Sequence, residues 1–72
     1  MKNKEVAQLL YEIADLLEIK GELVFKIRAY RRAAQSIETM SKPIEDYYKE
    51  DKLTEVPGVG AGIAEKIIEF LE

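Results

Sequence analysis

Apolar residues recur at intervals of three or four along most of this chain, and that spacing places them on one face of an α-helix. The first run predicts a helix over about residues 4–19, with Asn3 as its N-cap and Gly21 in the left-handed conformation beyond its end. The second run predicts a helix over about residues 23–40. The predicted inner faces are Val6, Leu9, Leu10, Ile13, Leu16 and Leu17 in the first helix, and Val24, Ile27, Tyr30 or Ala34, and Ile37 in the second.

Shorter helical segments account for the rest of the chain. Pro43 fits the first turn of a third helix over about residues 43–50, because its fixed φ suits that position. A short helical turn follows at about 52–55, and a last helix covers about 60–71. No segment shows the strict alternation of a strand. We therefore predict an all-α fold, a compact domain of four to five helices over residues 1–72 with one modest core.

The segment before the last helix carries the strongest chemical signal. It reads Val-Pro-Gly-Val-Gly over residues 56–60 and leads into Ala-Gly-Ile. Glycines leave the backbone open to a ligand, and the unpaired N–H groups at a helix N-terminus suit a phosphate oxygen. The alternative is a tight turn whose glycines serve packing alone. The proline, the flanking apolar residues and the small Ala-Gly pair favour phosphate binding, as in the hairpin of a helix-hairpin-helix motif. The backbone concerned is that of Gly58, Val59, Gly60, Ala61, Gly62 and Ile63.

Composition excludes several kinds of chemistry and concentrates another in one place. The chain has no Cys and no His, which rules out disulfides, thiolate catalysis, zinc–thiolate sites and a histidine general base. Its net charge of −3 does not by itself suggest nucleic-acid binding. However, five of the eleven basic residues lie between Lys20 and Arg32, where Glu22 is the only acid. This face of the second helix attracts a polyanion, unless its cations pair with neighbouring acids.

A second specific motif lies in the second helix, where residues 25–34 read Phe-Lys-Ile-Arg-Ala-Tyr-Arg-Arg-Ala-Ala. Together with the hairpin and with Ile-Ala-Glu-Lys-Ile over residues 63–67, it resembles the N-terminal 8 kDa domain of family X DNA polymerases, most closely the bacterial and archaeal members. The resemblance covers nearly the whole chain. It implies a helix-hairpin-helix domain that binds the downstream strand and its 5′-phosphate in gapped or nicked DNA, during base excision repair or end joining. The catalytic aspartates of these polymerases lie in a separate domain, so the chain is not a polymerase alone.

The resemblance also assigns roles to side chains of the second helix. Lys26 and Tyr30 stand where the family has residues of its phosphate pocket, and their spacing of four places them on one face. Lys supplies a charge for the phosphate, and the Tyr hydroxyl supplies a directed hydrogen bond. Arg28, Arg31 and Arg32 add general attraction for the DNA backbone. For Arg31 the alternative is an ion pair with an acid of a neighbouring helix.

Lys66 stands where lyase-competent members of the family form a Schiff base with the sugar left after base removal. That chemistry needs some neutral amine near pH 7. Here Gly62 and Thr54 replace lysines that animal members carry in this pocket, and the nearby Glu65 and Glu69 favour a protonated amine. We therefore expect Lys66 to act first as a DNA-contacting ammonium. Its role as the catalytic nucleophile of a 5′-deoxyribose-phosphate lyase is the second expectation.

The resemblance extends to ligands and partners. It implies a monovalent cation, K⁺ or Na⁺, at the hairpin, held by the backbone carbonyls of Thr54, Val56 and Val59. No cofactor is required. The expected partners are gapped or nicked DNA with a 5′-phosphate and, for a fragment, the polymerase catalytic domain. No apolar run approaches the ~20 residues of a membrane span, and we expect a monomer with a cytoplasmic, nucleoid-associated location. Two alternatives remain open: a DNA-binding module without chemistry, and a protein-interaction domain that retains the fold without DNA binding.

Overall fold

Four α-helices and one 3₁₀ turn make up the secondary structure of the computed structural model, which describes residues 1–72 and contains no strand. Every helix begins and ends within one residue of the bounds expected from the sequence. The elements are α1 (Asn3–Ile19), α2 (Val24–Thr39), α3 (Ile44–Lys49), the 3₁₀ turn (Leu53–Glu55) and α4 (Ala61–Leu71).

The core lies where the N-terminal half of α1 meets the C-terminal half of α2. Residues 20–23 join these two helices, and Gly21 adopts the predicted left-handed conformation with φ of +75°. Each large apolar side chain in this core contributes about 1.5–3 kcal/mol through burial. Because α3, the 3₁₀ turn, the hairpin and α4 all contribute to the core, the hairpin is anchored on both sides. The largest fully buried side chains are Leu10, Ile37, Ile44, Ile67, Val6 and Val56.

Asn3 does not cap α1 as predicted. Lys2 holds the N-cap position without a side-chain capping bond, and Asn3 is a buried residue of the first helical turn. Its side-chain N–H donates to the carbonyl of Lys42 at 3.0 Å, and its Oδ1 accepts the backbone N–H of Ile44 at 2.8 Å. Asn3 therefore fixes the start of α1 to the start of α3, where it satisfies an N–H that the helix itself leaves unpaired.

The prediction of buried positions is wrong for the C-terminal end of α1 and the N-terminal end of α2, which the loop of residues 20–23 joins. Leu16 is 58% exposed and Val24 is 60% exposed. The neighbouring Ile19 and Leu23 are exposed as well. The buried part of the helical pair ends at Ala14 and Ile27, and the apolar stripes continue beyond the region that other elements cover. None of the helices combines the length and the apolarity that crossing a bilayer requires.

Candidate nucleic-acid interface

The hairpin is a tight turn that lies directly on the backbone of α2. Its closing hydrogen bond runs from the N–H of Val59 to the carbonyl of Val56 at 2.9 Å. Gly58 has a φ of +85°, a conformation that side-chain-bearing residues rarely adopt. A Cβ at Gly58 would also lie 3.3 Å from the backbone nitrogen of Ala33. The Ala-Ala segment of α2 and the Pro-Gly turn thus form one packed unit, which explains physically why the two motifs occur together.

Five backbone N–H groups of the hairpin and of the first turn of α4 have no hydrogen-bond acceptor within the protein. The first hydrogen bond of α4 runs from the N–H of Ala64 to the carbonyl of Gly60 at 2.9 Å, so the donors before it are unpaired. The positive end of the α4 dipole adds to their attraction for an anion. The five free N–H groups belong to Gly58, Gly60, Ala61, Gly62 and Ile63.

Four of these five residues, all except Ala61, line an open groove with a volume of about 460 Å³, which we call the hairpin groove. Lys26 and Tyr30 line it from α2, and Lys66 lines it from α4. The three side chains predicted for a phosphate pocket are therefore brought together, on the same surface as the glycines of the hairpin. The complete lining is Lys26, Ala29, Tyr30, Gly58, Gly60, Gly62, Ile63, Glu65 and Lys66.

Gly60 and Gly62 differ from Gly58 in that nothing inside the protein requires them. A Cβ at either position would meet no atom within 4 Å. Gly60 has φ of −90° and ψ of −177°, an extended conformation that any residue adopts. Packing and backbone geometry therefore leave the choice of glycine at these two positions unexplained. Glycine at these positions leaves the free N–H groups open to a ligand.

The two lysines of the groove are only loosely paired with acids. The Lys26 ammonium lies 4.0 Å from Glu22, and the Lys66 ammonium lies 3.9 Å from Glu69. Both lysine side chains are about half exposed. Ion pairs of this kind at the surface contribute about 0–1 kcal/mol. Either ion pair can therefore be broken at little energetic cost.

Arg31 adopts the second of its two predicted roles. Its Nη2 donates to Asp15 at 3.2 Å and to Glu18 at 2.9 Å, both on α1. These hydrogen bonds hold the pKa of Arg31 above its ordinary value, and the bond to Glu18 has the larger effect. Arg31 thus ties α2 to α1 and is engaged by two carboxylates rather than free for a ligand.

Arg28 and Arg32 form no ion pair. With Phe25 they line a smaller groove of about 290 Å³, which shares Ala29 and Gly58 with the hairpin groove. Phe25, which is 68% exposed, received no role from the sequence. Its position in the sequence could have drawn attention to it, because Phe25 is an aromatic residue outside the predicted inner face of α2 and directly precedes Lys26.

The carbonyls proposed for a monovalent cation lie in the turn itself. The carbonyl of Val56 accepts the N–H of Val59. Those of Thr54 and Val59 accept no hydrogen bond from the protein. Two of the three carbonyls are therefore free to serve as the hard oxygen ligands that such an ion prefers.

Comparison with known proteins identifies the class to which this fold and this hairpin belong. All of residues 1–72 match the family model described as a helix-hairpin-helix domain. The chain belongs to that family, and the motif and the all-α fold predicted from the sequence are both confirmed.

One relative extends the assignment. The chain is similar to the DNA polymerase/3′-5′ exonuclease PolX of Bacillus subtilis (strain 168), with 31% identity over 72 residues. The matched region is 100% of this chain and 12% of that relative. The predicted resemblance to the N-terminal region of a family X polymerase is therefore confirmed. The activities in the relative's name describe a protein of which this chain spans only a small part.

Proposed function

We propose that this chain binds DNA through its phosphate backbone, without reading base sequence. The observation that carries the proposal is the hairpin groove, because four residues with free N–H groups, two lysines and a tyrosine line one open space. These groups donate hydrogen bonds and supply positive charge, which is the chemistry that a phosphate requires. Membership of the helix-hairpin-helix family and the polymerase relative support the same assignment.

The proposed substrate is gapped or nicked DNA whose downstream strand carries a 5′-phosphate. A terminal phosphate exposes more oxygen atoms than an internucleotide phosphate, and the free donors of the groove outnumber those that one diester can engage. The same groove would place this chain at strand breaks during DNA repair, and hence with the chromosome. In a longer polymerase it would hold the catalytic domain beside the gap.

Lys66 has two proposed roles. Its side chain is about half exposed and lines the hairpin groove. A charged amine binds phosphate but cannot attack an aldehyde. We therefore propose phosphate contact as the first role of Lys66, and Schiff-base formation in a 5′-deoxyribose-phosphate lyase reaction as the second. Borohydride trapping on an abasic, 5′-incised duplex tests the second role, because only a Schiff base yields a covalent adduct.

We also propose that K⁺ or Na⁺ joins the carbonyls of Thr54, Val56 and Val59 to a DNA phosphate. DNA binding would then be tighter in KCl than in tetramethylammonium chloride of the same concentration, because the organic cation is too large for the turn. Equal affinities in the two salts would contradict this part of the proposal.

The experiment that tests the main proposal is a salt titration of binding to a duplex with a one-nucleotide gap, with and without a 5′-phosphate. The Lys66→Ala variant removes one phosphate contact. We expect it to weaken binding several-fold and to reduce the slope of log K against log salt by about 0.9. Lys49→Ala is the matched control, because Lys49 is an exposed lysine on α3 outside the groove.

The outcomes separate the candidate functions. A phosphate-dependent affinity that Lys66→Ala weakens and Lys49→Ala does not would establish the groove as the binding site. Equal affinity with and without the 5′-phosphate would reduce the function to general backbone binding. Absence of binding to either duplex at low salt would leave the hairpin as a packing turn, and would favour the protein-interaction alternative.

A further inference from the structure

A second groove begins where the hairpin groove ends. It lies between α1 and α4, has a volume of about 290 Å³, and is lined by Leu9, Ile13, Lys66, Glu69 and Phe70. Lys66 lines both grooves, so they meet at its side chain. We call this second space the apolar groove, because three of its five lining residues are apolar.

Two pairs of side chains at helical spacing line the apolar groove. Leu9 and Ile13 are four residues apart on α1, and Lys66 and Phe70 are four residues apart on α4, so each pair lies on one helix face. Phe70 is 41% exposed although it is a large aromatic residue on a helix whose inner face is otherwise buried. The fold therefore leaves an aromatic surface accessible beside the candidate phosphate site.

Two of the five lining residues, Lys66 and Glu69, are charged, whereas Leu9, Ile13 and Phe70 offer no side-chain hydrogen-bond donor or acceptor. Beyond Phe70 the surface continues into a polar region lined by Lys4, Glu5, Gln8 and Glu12. A suitable ligand thus has an anionic group at the Lys66 end and a flat, largely apolar group about one helical turn away, or about 6 Å for four residues.

We propose that the apolar groove holds the nucleobase of the 5′-terminal nucleotide, unpaired from its template, while the 5′-phosphate of the same nucleotide binds in the hairpin groove. This inference rests on the proposed function. A nucleoside 5′-phosphate has the required shape, with a phosphate separated from a flat ring by one sugar. A terminal base is the easiest to unpair, because it stacks on one neighbour only. Aromatic stacking accepts any base, so the site selects for an end of the strand rather than for sequence.

The first test uses a gapped duplex that carries a 5′-phosphate and 2-aminopurine as the first downstream nucleotide. Fluorescence of 2-aminopurine rises when the base leaves the stack of the duplex. We expect a rise on addition of the wild-type chain, and a loss of at least half of that rise with Phe70→Leu, which keeps apolar volume but removes the ring. Leu23→Ala is the control, since Leu23 is an exposed apolar residue outside both grooves.

The second test compares this duplex with one whose first downstream nucleotide lacks a base. We expect the missing base to weaken wild-type binding about five- to tenfold and to leave Phe70→Leu binding unchanged, because the two changes remove the same contact. If both proteins lose affinity equally, or if the fluorescence does not change on binding, the inference is wrong although DNA binding stands. Absence of binding to any gapped duplex would instead overturn the proposed function.

Discussion

The glycines of the hairpin are of two kinds, which differ in what surrounds each residue. Gly58 is required by the fold, because its φ of +85° and the contact with the backbone of Ala33 both exclude a side chain. Gly60 has room for a side chain and an ordinary extended conformation. The sequence shows both only as glycine, so the distinction emerges from the neighbours that each one meets in space.

This difference gives a prediction with an internal control. Gly58→Ala should lower the free energy of unfolding by about 1–3 kcal/mol through strain in the left-handed region and contact with α2. Gly60→Ala should change it by less than about 0.5 kcal/mol and still weaken DNA binding, because the added methyl group lies beside the free N–H groups. Urea unfolding and gapped-duplex binding, measured on both variants, check the two effects. Equal stability of the two variants would show that the contact with Ala33 relaxes freely.

Contacts between elements depend on a few polar side chains that join residues far apart in the chain. Asn3 links α1 to α3 across about forty residues, and Arg31 links α2 to α1. The apolar core holds the helices together, whereas these polar links fix how one helix start or face is placed against another.

Removal of the two hydrogen bonds of the Asn3 side chain should lower the free energy of unfolding substantially, although the side chain is small. Asn3→Ala leaves the N–H of Ile44 without its acceptor in a buried position, so we expect a loss of about 1–3 kcal/mol in the free energy of unfolding. Asn3→Asp keeps the acceptor for Ile44 but loses the donor to Lys42, and should be intermediate. Chemical denaturation of the three proteins measures the series. A loss as large for Asp as for Ala would assign the stabilisation to the bond with Lys42.

At the element level, the sequence predicts what depends on neighbours along the chain. The periodicity of apolar residues predicted the helices, and the Pro-Gly-x-Gly order predicted the hairpin. The role of Asn3 could not be predicted, because its partners lie on α3. Nor could the exposure of Val24, because a helical stripe does not show how far the other elements extend over it. For Arg31 the sequence left two roles open, and the choice depended on the distance to Glu18.

The whole molecule separates its charges by face. Asp15 and Glu18 engage Arg31, whereas Lys26, Arg28, Arg32 and Lys66 remain around the hairpin. The chain therefore carries a net charge of −3 and still presents a basic surface to a polyanion. Lys26, Tyr30 and Lys66 could be named from the sequence, whereas Phe25 was missed. That Lys66 joins two grooves could not be predicted, because α1 supplies two of the five residues that line the apolar groove.

The stability of the whole fold should fall at alkaline pH, because two tyrosine hydroxyls lose their protons there. The hydroxyl of Tyr48 donates to Glu72 at 2.6 Å, and this hydrogen bond raises the pKa of Tyr48 above 10.0. Desolvation, together with the hydrogen bond that the Tyr11 hydroxyl donates to Glu38 at 3.3 Å, likewise raises the pKa of Tyr11. In both cases the folded chain holds the proton more tightly than the unfolded chain, so the stabilisation is complete below pH 10 and is lost as pH rises through the raised pKa values.

We therefore expect the midpoint of thermal unfolding to fall more steeply above pH 10 in the wild type than in a Tyr11→Phe, Tyr48→Phe double variant. At pH 7 the wild type should be the more stable of the two. Circular dichroism melts from pH 7 to pH 11.5 provide the comparison, with Tyr47→Phe as a control for the loss of a tyrosine hydroxyl on α3. Parallel curves for wild type and double variant would show that the two hydrogen bonds are too solvent-exposed to contribute.

The close contact between Gly58 and the backbone of α2 has a consequence for the thermodynamics of binding. Since the turn is held against the folded scaffold before any ligand arrives, the donors of the hairpin need no ordering at the moment of binding. The association should then show little of the unfavourable entropy and the large heat-capacity decrease that accompany coupled folding and binding. Its rate should be set by electrostatic encounter and should fall with ionic strength, rather than by a slow conformational step. We therefore expect the hairpin to act as a rigid anion receptor, whose donors already have the same arrangement before and after binding.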